Sequence, residues 1–120
     1  MPTIGHLKMH HDRVLRGFIQ SSRRSVNIQL TPIPEGERRD ANSPYYRVEG
    51  INHTGEVYEL GGGWVKRMQE GTTEREYLSL SMDDPDWTGP LSCAAFPTKG
   101  KPNEYDVVWN RPDRSQQRAA

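Results

Sequence analysis

Three carboxylates lie close together at Asp83, Asp84 and Asp86, and they are the first residues whose type and spacing suggest chemistry. Carboxylate oxygens bind Mg²⁺ and Ca²⁺, and a metal-assisted hydrolase built on Asp83 and Asp84 would need such ligands. An aspartate before a proline also starts a turn, and neighbouring residues at a strand end point to opposite sides. We therefore expect a structural turn here, with no metal site and no cofactor.

Other catalytic signatures are weak in this sequence. The histidines His6, His10 and His11 share no helical face, and no second cysteine completes a zinc site. The glycines at 61–63 precede a strand-like segment and not the helix that a phosphate-binding loop requires, so they predict a turn or a backbone crossing. No G-x-S-x-G elbow occurs. We expect no catalytic residues and a protein that is not an enzyme.

Aromatic and basic residues alternate along much of the chain. Single-strand binders stack bases on aromatic rings beside a positive groove. The expected nucleic-acid contacts are the cations Arg13, Arg16, Arg23, Arg24 and Lys66, with Tyr45, Tyr46 or Trp87 as stacking rings. In the alternative interpretation the rings are packing material, and Trp64 and Trp109 are expected inside the core.

Composition places limits on the fold and the partners. The 120 residues suit one domain, 1–111, followed by a flexible tail, 112–120. Sixteen basic and sixteen acidic residues give a net charge of zero, so charge alone steers the protein to neither nucleic acid nor membrane. A lone cysteine rules out an internal disulfide. With no signal peptide or apolar span in the sequence, a cytoplasmic location is expected.

The elements that must position these residues are short β-strands. Apolar residues recur at every second position in Ser25–Ile33 and Tyr77–Met82, which is the period of a strand. Turn-forming residues separate similar segments throughout, and Glu35–Pro44 is expected to be a mobile loop. The pattern predicts an all-β fold: a small antiparallel barrel or sandwich of seven to nine short strands with a disordered C-terminal tail.

Several blocks of the sequence resemble the domain of unknown function 736 family. They are the opening MPTIG, the Ser25–Pro32 strand, YYRV at 45–48, Gly63-Trp64, YLSLSMDDP at 77–85 and YDVVWNR at 105–111. Members of that family are small bacterial proteins, often encoded on plasmids and other mobile elements. The resemblance implies an association with mobile DNA and supplies no catalytic residues.

Two functions therefore remain open from the sequence. The first is a non-enzymatic β module of bacterial mobile DNA that binds single-stranded nucleic acid through a basic and aromatic face. The alternative is a protein-interaction or self-associating module that acts through sheet edges and the acidic turn formed by Asp83, Asp84 and Asp86.

Overall fold

Eight β-strands, joined in simple succession, make up the fold. The computed structural model describes residues 3–21, 25–38, 42–87 and 89–109. The strands are β1 Thr3–Met9, β2 Leu15–Gln20, β3 Ser25–Pro32, β4 Tyr46–Ile51, β5 Val57–Glu70, β6 Thr73–Met82, β7 Leu91–Pro97 and β8 Glu104–Trp109. A short 3-10 turn, Glu35–Glu37, lies between β3 and β4, and the described ranges contain no α-helix.

The strands close into a barrel. Each strand pairs antiparallel with the next along the chain, and β8 returns to pair with β1. The all-β prediction is confirmed, and eight strands fall inside the predicted range. Closure satisfies the outer backbone groups that an open sheet would leave unpaired at its two edges.

Alternation along the strands builds the core, as the sequence predicts. In β3, Ile28 and Leu30 are fully buried, whereas Ser25 and Asn27 are exposed. Buried apolar side chains from all eight strands fill the barrel: Leu7, Leu15, Ile19, Ile28, Leu30, Tyr46, Val48, Leu60, Leu78, Leu80, Met82, Cys93, Ala95 and Val107. No polar or charged residue is buried within the described ranges, so the interior is held by packing alone.

The three glycines at 61–63 lie inside β5, and the prediction of a turn there is wrong. A single strand, Val57–Glu70, runs through them and replaces the two short strands expected on either side. A Cβ atom at Gly61 would collide with the carbonyl oxygen of Ser81 on β6. The register also shifts between Val48 and Glu49, which marks a bulge in the β4–β5 pairing. The close approach of β6 therefore requires a glycine at position 61, and it occurs between paired strands instead of at a turn or a backbone crossing.

Strands β5 and β6 extend beyond the barrel wall. The pairing of β5 with β4 reaches Gly63, and the pairing of β6 with β7 begins at Leu78. Among the described strands, residues 64–70 of β5 therefore pair only with β6, and residues 73–77 of β6 pair only with β5, on either side of a two-residue turn at Gly71 and Thr72. We call this two-stranded ribbon the arm; at a strand rise of ~3.3 Å per residue it is about 20 Å long.

The acidic turn lies at the other end of β6 from the tip of the arm. It follows Met82, and the partly buried Trp87 that ends it packs against the core. Two other predicted segments are described in part or not at all. The loop Glu35–Pro44 contains the 3-10 turn, while its residues 39–41 and the predicted tail at 112–120 lie outside the described residues. In the part of the chain that is described, no helix is long and apolar enough to span a membrane.

Candidate nucleic-acid interface

The outer face of the arm carries rings and cations on neighbouring positions. Strand register places Lys66 directly opposite Tyr77, and Met68 opposite Arg75. Residues directly opposite in an antiparallel pair share one face of the sheet, so these four side chains lie together. We call the group Trp64, Lys66, Arg75, Tyr77 and Phe96 the arm patch.

Two rings of the arm patch are stacked. The centroids of Tyr77 and Phe96 are 5.1 Å apart with planes at 20°. The guanidinium carbon of Arg75 lies 5.1 Å from the Phe96 centroid, and an Arg75 Nη2 to Pro97 carbonyl hydrogen bond of 3.5 Å helps to hold it there. Phe96 ties the arm to β7, so the stack joins the ribbon to the barrel wall.

Trp64 belongs to this outer face, and the expectation that it lies inside the core is wrong. Its indole N–H donates a 2.9 Å hydrogen bond to the carbonyl oxygen of Asn42. A Cβ at Gly62 would lie 3.2 Å from the indole and 3.0 Å from Pro44, so the ring rests against a glycine that makes room for it. Trp109, by contrast, is partly buried and shares its strand face with the buried Val107.

Tyr45 forms a second, smaller group with a cation. Its ring is 40% exposed, and the Arg38 guanidinium carbon lies 4.6 Å from the ring centroid. The Tyr45 backbone N–H donates to the carbonyl of Gly63, one residue before Trp64. This predicted stacking residue therefore lies near the base of the arm.

The predicted cations do not converge on one face. Arg13 lies in the β1–β2 turn, where its φ of 67° places it in the left-handed region. Arg16 on β2 donates two hydrogen bonds, of 2.9 and 3.2 Å, to the Asp12 carboxylate. The pair lowers the pKa of Asp12 to about 2 and offsets the charge that Arg16 would offer a phosphate. Arg23 and Arg24 lie outside the described residues.

Two of the predicted stacking rings are poorly placed for that role. Tyr46 is only 9% exposed and packs in the core, so its assignment as a base-stacking residue is corrected. Burial raises the pKa of its hydroxyl. Trp87 packs against the core at the acidic turn, at the opposite end of β6 from the arm tip. Of the predicted nucleic-acid residues, Lys66 belongs to the arm patch, and Tyr45 lies near its base.

The acidic turn uses two of its carboxylates on its own backbone. Asp83 Oδ1 accepts from the N–H of Asp84 at 2.9 Å, and Asp84 Oδ1 accepts from the N–H of Asp86 at 2.8 Å. The N–H of Trp87 donates to the Asp84 carbonyl at 2.9 Å. These bonds are those of a structural turn. No group of three or more candidate metal ligands occurs within the described residues.

A histidine bridges two carboxylates on the barrel exterior. His6 on β1 lies 2.8 Å from Glu104 Oε1 and 3.1 Å from Asp106 Oδ1, both on β8. The hydrogen bond to Glu104 is the main cause of a raised pKa for the imidazole, which donates from both nitrogens when protonated. This cluster spans the β1–β8 seam that closes the barrel.

Sequence reasoning identified Lys66 and missed the other four residues of the arm patch: Trp64, Arg75, Tyr77 and Phe96. A signal for Arg75 was present, because a two-residue turn at Gly71-Thr72 fixes the hairpin register and places positions 66 and 68 opposite 77 and 75. Phe96 comes from a separate strand, and only the β6–β7 pairing brings it to Tyr77.

Comparison with known proteins gives a family and no characterised relative. No curated protein and no solved structure was found to match this sequence. The family model described as protein of unknown function (DUF736) matches residues 3–112, which is most of the chain. The residues that carried the resemblance, from the first strand to the YDVVWNR segment, fall within that match or at its edge. The chain therefore belongs to the DUF736 family.

Proposed function

We propose that the protein is a non-enzymatic module of bacterial mobile DNA that binds single-stranded nucleic acid on the arm patch. The observation that supports this most directly is the Tyr77–Phe96 stack with Lys66 and Arg75 beside it. The association with mobile DNA rests on family resemblance alone.

The chemistry of the arm patch suits single strands. Bases have two flat faces, and stacking on an aromatic side chain contributes ~1–3 kcal/mol per base without regard to sequence. The cations beside the rings supply contacts to the phosphates that link stacked bases. Because the ribbon projects from the barrel, a nucleic-acid strand bound to it would keep its sugar-phosphate backbone accessible on the side away from the protein.

The charge balance predicts weak binding with a shallow dependence on salt. With two patch cations contacting phosphates, the slope of log K against log salt is expected near −1.4, from about −0.7 per contact for single strands. A net charge of zero adds no long-range attraction. We expect dissociation constants in the micromolar range or above.

Fluorescence anisotropy of a labelled oligothymidine tests the proposal. Binding is measured at several salt concentrations for the wild type, Lys66→Gln and Arg75→Gln. We expect each variant to bind more weakly and to reduce the salt slope by about 0.7, since each removes one phosphate contact. Circular dichroism shows whether the barrel is intact.

Arg16→Gln is the matched control, because it removes a cation of the same type from β2, where the Asp12 carboxylate already pairs with it. We expect its affinity and salt slope to match the wild type. Absence of binding to the wild type at low salt, or an equal loss in the Arg16 variant, would overturn the arm patch as the site.

A second candidate function is a protein-interaction module, and one observation favours it. In the barrel body every strand is paired on both sides within the described residues, so strand addition there would break existing pairs. The arm, within the described ranges, leaves a long run of strand edge open. Asp83, Asp84 and Asp86 stay a proposed contact for such a partner, with Asp83 and Asp84 already hydrogen-bonded within their turn.

A further inference from the structure

The outer edge of β5 in the arm has an unpaired backbone. Beyond Gly63, no strand in the described ranges pairs with β5 on the side away from β6. Side chains along this edge are exposed: Val65 and Met68 are each 40% exposed, and the Arg67 side chain is 63% exposed. The described part of the chain therefore leaves a row of peptide groups on this side for water or for another strand.

The direction of those peptide groups follows from the hairpin. A two-residue turn is closed by the pair Glu70–Thr73, so even-numbered residues of the arm bond to β6. Odd-numbered residues then direct their N–H and C=O groups to the open side. The odd-numbered Gly63 follows the same rule, because its carbonyl points away from β6 and accepts a hydrogen bond from the Tyr45 N–H. Among the described residues, the groups on this side that have no strand partner are those of Val65, Arg67 and Gln69.

Two consecutive cations, Lys66 and Arg67, lie midway along this edge, while Glu74 and Glu76 lie across from β5 on β6. Because the two cations are consecutive, one projects from each face of the ribbon. Arg67 makes a long contact of 3.7 Å with Glu76, and both side chains are more than 60% exposed. The outer face adds Arg75 opposite Met68. Lysines on an exposed edge discourage self-pairing, because they would meet other lysines.

We infer that the open edge of β5 accepts an extended acidic segment of a partner protein by strand addition. The incoming strand would run antiparallel to β5 and place two consecutive acidic residues opposite Lys66 and Arg67. Lys66 occupies a non-hydrogen-bonded position toward that strand, where facing side chains come closest. Backbone bonds at Val65, Arg67 and Gln69 would supply affinity, and the two charges would supply selectivity.

This inference goes beyond nucleic-acid binding and uses a different surface, the edge of the ribbon instead of its outer face. Lys66 belongs to both surfaces. The acidic segment and an oligonucleotide would therefore compete for Lys66. A partner protein could in this way release nucleic acid from the arm patch.

Amide hydrogen exchange gives the most direct test. The probe is a synthetic strand-forming peptide of about ten residues with two adjacent acidic residues at its centre. In the free protein, the amides of Val65, Arg67 and Gln69 should exchange faster than those of Lys66 and Met68, which bond to β6. The peptide should slow the odd-numbered set at least tenfold and leave the even-numbered set unchanged.

Two control peptides separate strand addition from simple charge attraction. One carries N-methyl groups on alternate residues and has no hydrogen-bond donors on the pairing edge; the other has lysine in place of both acids. Neither should protect the amides. A Lys66→Glu variant should lose at least tenfold in affinity for the acidic peptide and gain affinity for the lysine peptide, an exchange of preference that unfolding would not produce.

Equal binding of the acidic and N-methylated peptides would overturn strand addition, and so would binding that leaves the Val65, Arg67 and Gln69 amides unprotected. Failure of the wild type to bind the acidic peptide would also overturn it. These outcomes concern the peptide alone. Oligonucleotide binding is measured separately, so either proposal can fail while the other stands.

Discussion

Replacement of Gly61 by alanine should destabilise the barrel strongly. The new methyl carbon would collide with the carbonyl oxygen of Ser81, and it would lie 2.9 Å from the carbonyl carbon and 3.1 Å from the Met82 Cα. All three atoms are backbone atoms of the paired strand β6. No side chain can turn away, so β5 and β6 must separate at this point.

The expected magnitude follows from the contacts that separation removes. Forcing an extra methyl group into a packed site costs ~1–3 kcal/mol. Loss of one β5–β6 hydrogen bond adds ~0.5–1.5 kcal/mol. The sum, about 1.5–4.5 kcal/mol, corresponds to a fall in melting temperature of roughly 5–25 °C for a domain of this size. It is a large share of the ~5–15 kcal/mol that such domains possess.

Urea denaturation followed by tryptophan fluorescence measures this loss. Gly36→Ala is the control, because a Cβ at Gly36 meets nothing within 4 Å and its φ is not positive. We expect that control to lie within ~0.5 kcal/mol of the wild type. A Gly61→Ala protein equal in stability to the Gly36 variant would refute the argument that close strand approach requires a glycine inside β5.

Two further predictions concern titratable groups. Because the folded pKa of His6 is raised above its ordinary 6.5, its bridge to Glu104 and Asp106 stabilises fully below pH 6.5 and is lost as pH rises through the folded pKa. Between pH 6 and pH 8 the urea midpoint of the wild type should therefore fall more than that of His6→Gln. Equal falls in the two proteins would contradict the stabilising bridge. Burial raises the pKa of Cys93 from 9.0 to about 12, which lowers the fraction of thiolate at neutral pH about 1000-fold. A thiol reagent should modify the native protein at least that much more slowly than the urea-unfolded chain, and rapid native labelling would contradict the burial.

The strand pattern of this chain is strong enough to predict most of the fold. Two-residue alternation identified Ser25–Ile33 and Tyr77–Met82, and the structure places strands there with the expected inward residues. The sequence could not separate barrel from sandwich, because both need the same alternation. What decides it is the pairing of β1 with β8, a contact between distant segments that no local pattern encodes.

The candidate site was harder to predict, for two physical reasons. Glycines usually interrupt strands, so 61–63 predicted a turn and concealed the long strand that forms the arm. Aromatic rings serve both cores and surfaces, so residue type alone could not place them. Tyr46 was predicted on the surface and is buried, whereas Trp64 was predicted in the core and lies on the outer face. Lys66 lies opposite the Tyr77 ring, a placement that depends on the hairpin register, and its role as a nucleic-acid contact stays a prediction.

The β1–β8 seam has a consequence for how this chain folds. Every other strand pair joins neighbours in the sequence, so seven hairpins can form one after another, most of them with a short loop to close. The seam must bring together segments at opposite ends of the described chain, and its loop-closure entropy is by far the largest. We therefore expect the β1–β8 pairing to form last, after the other strands have paired into a curved sheet. Until it forms, β1 and β8 would be unpaired edge strands, which can pair with other chains and aggregate.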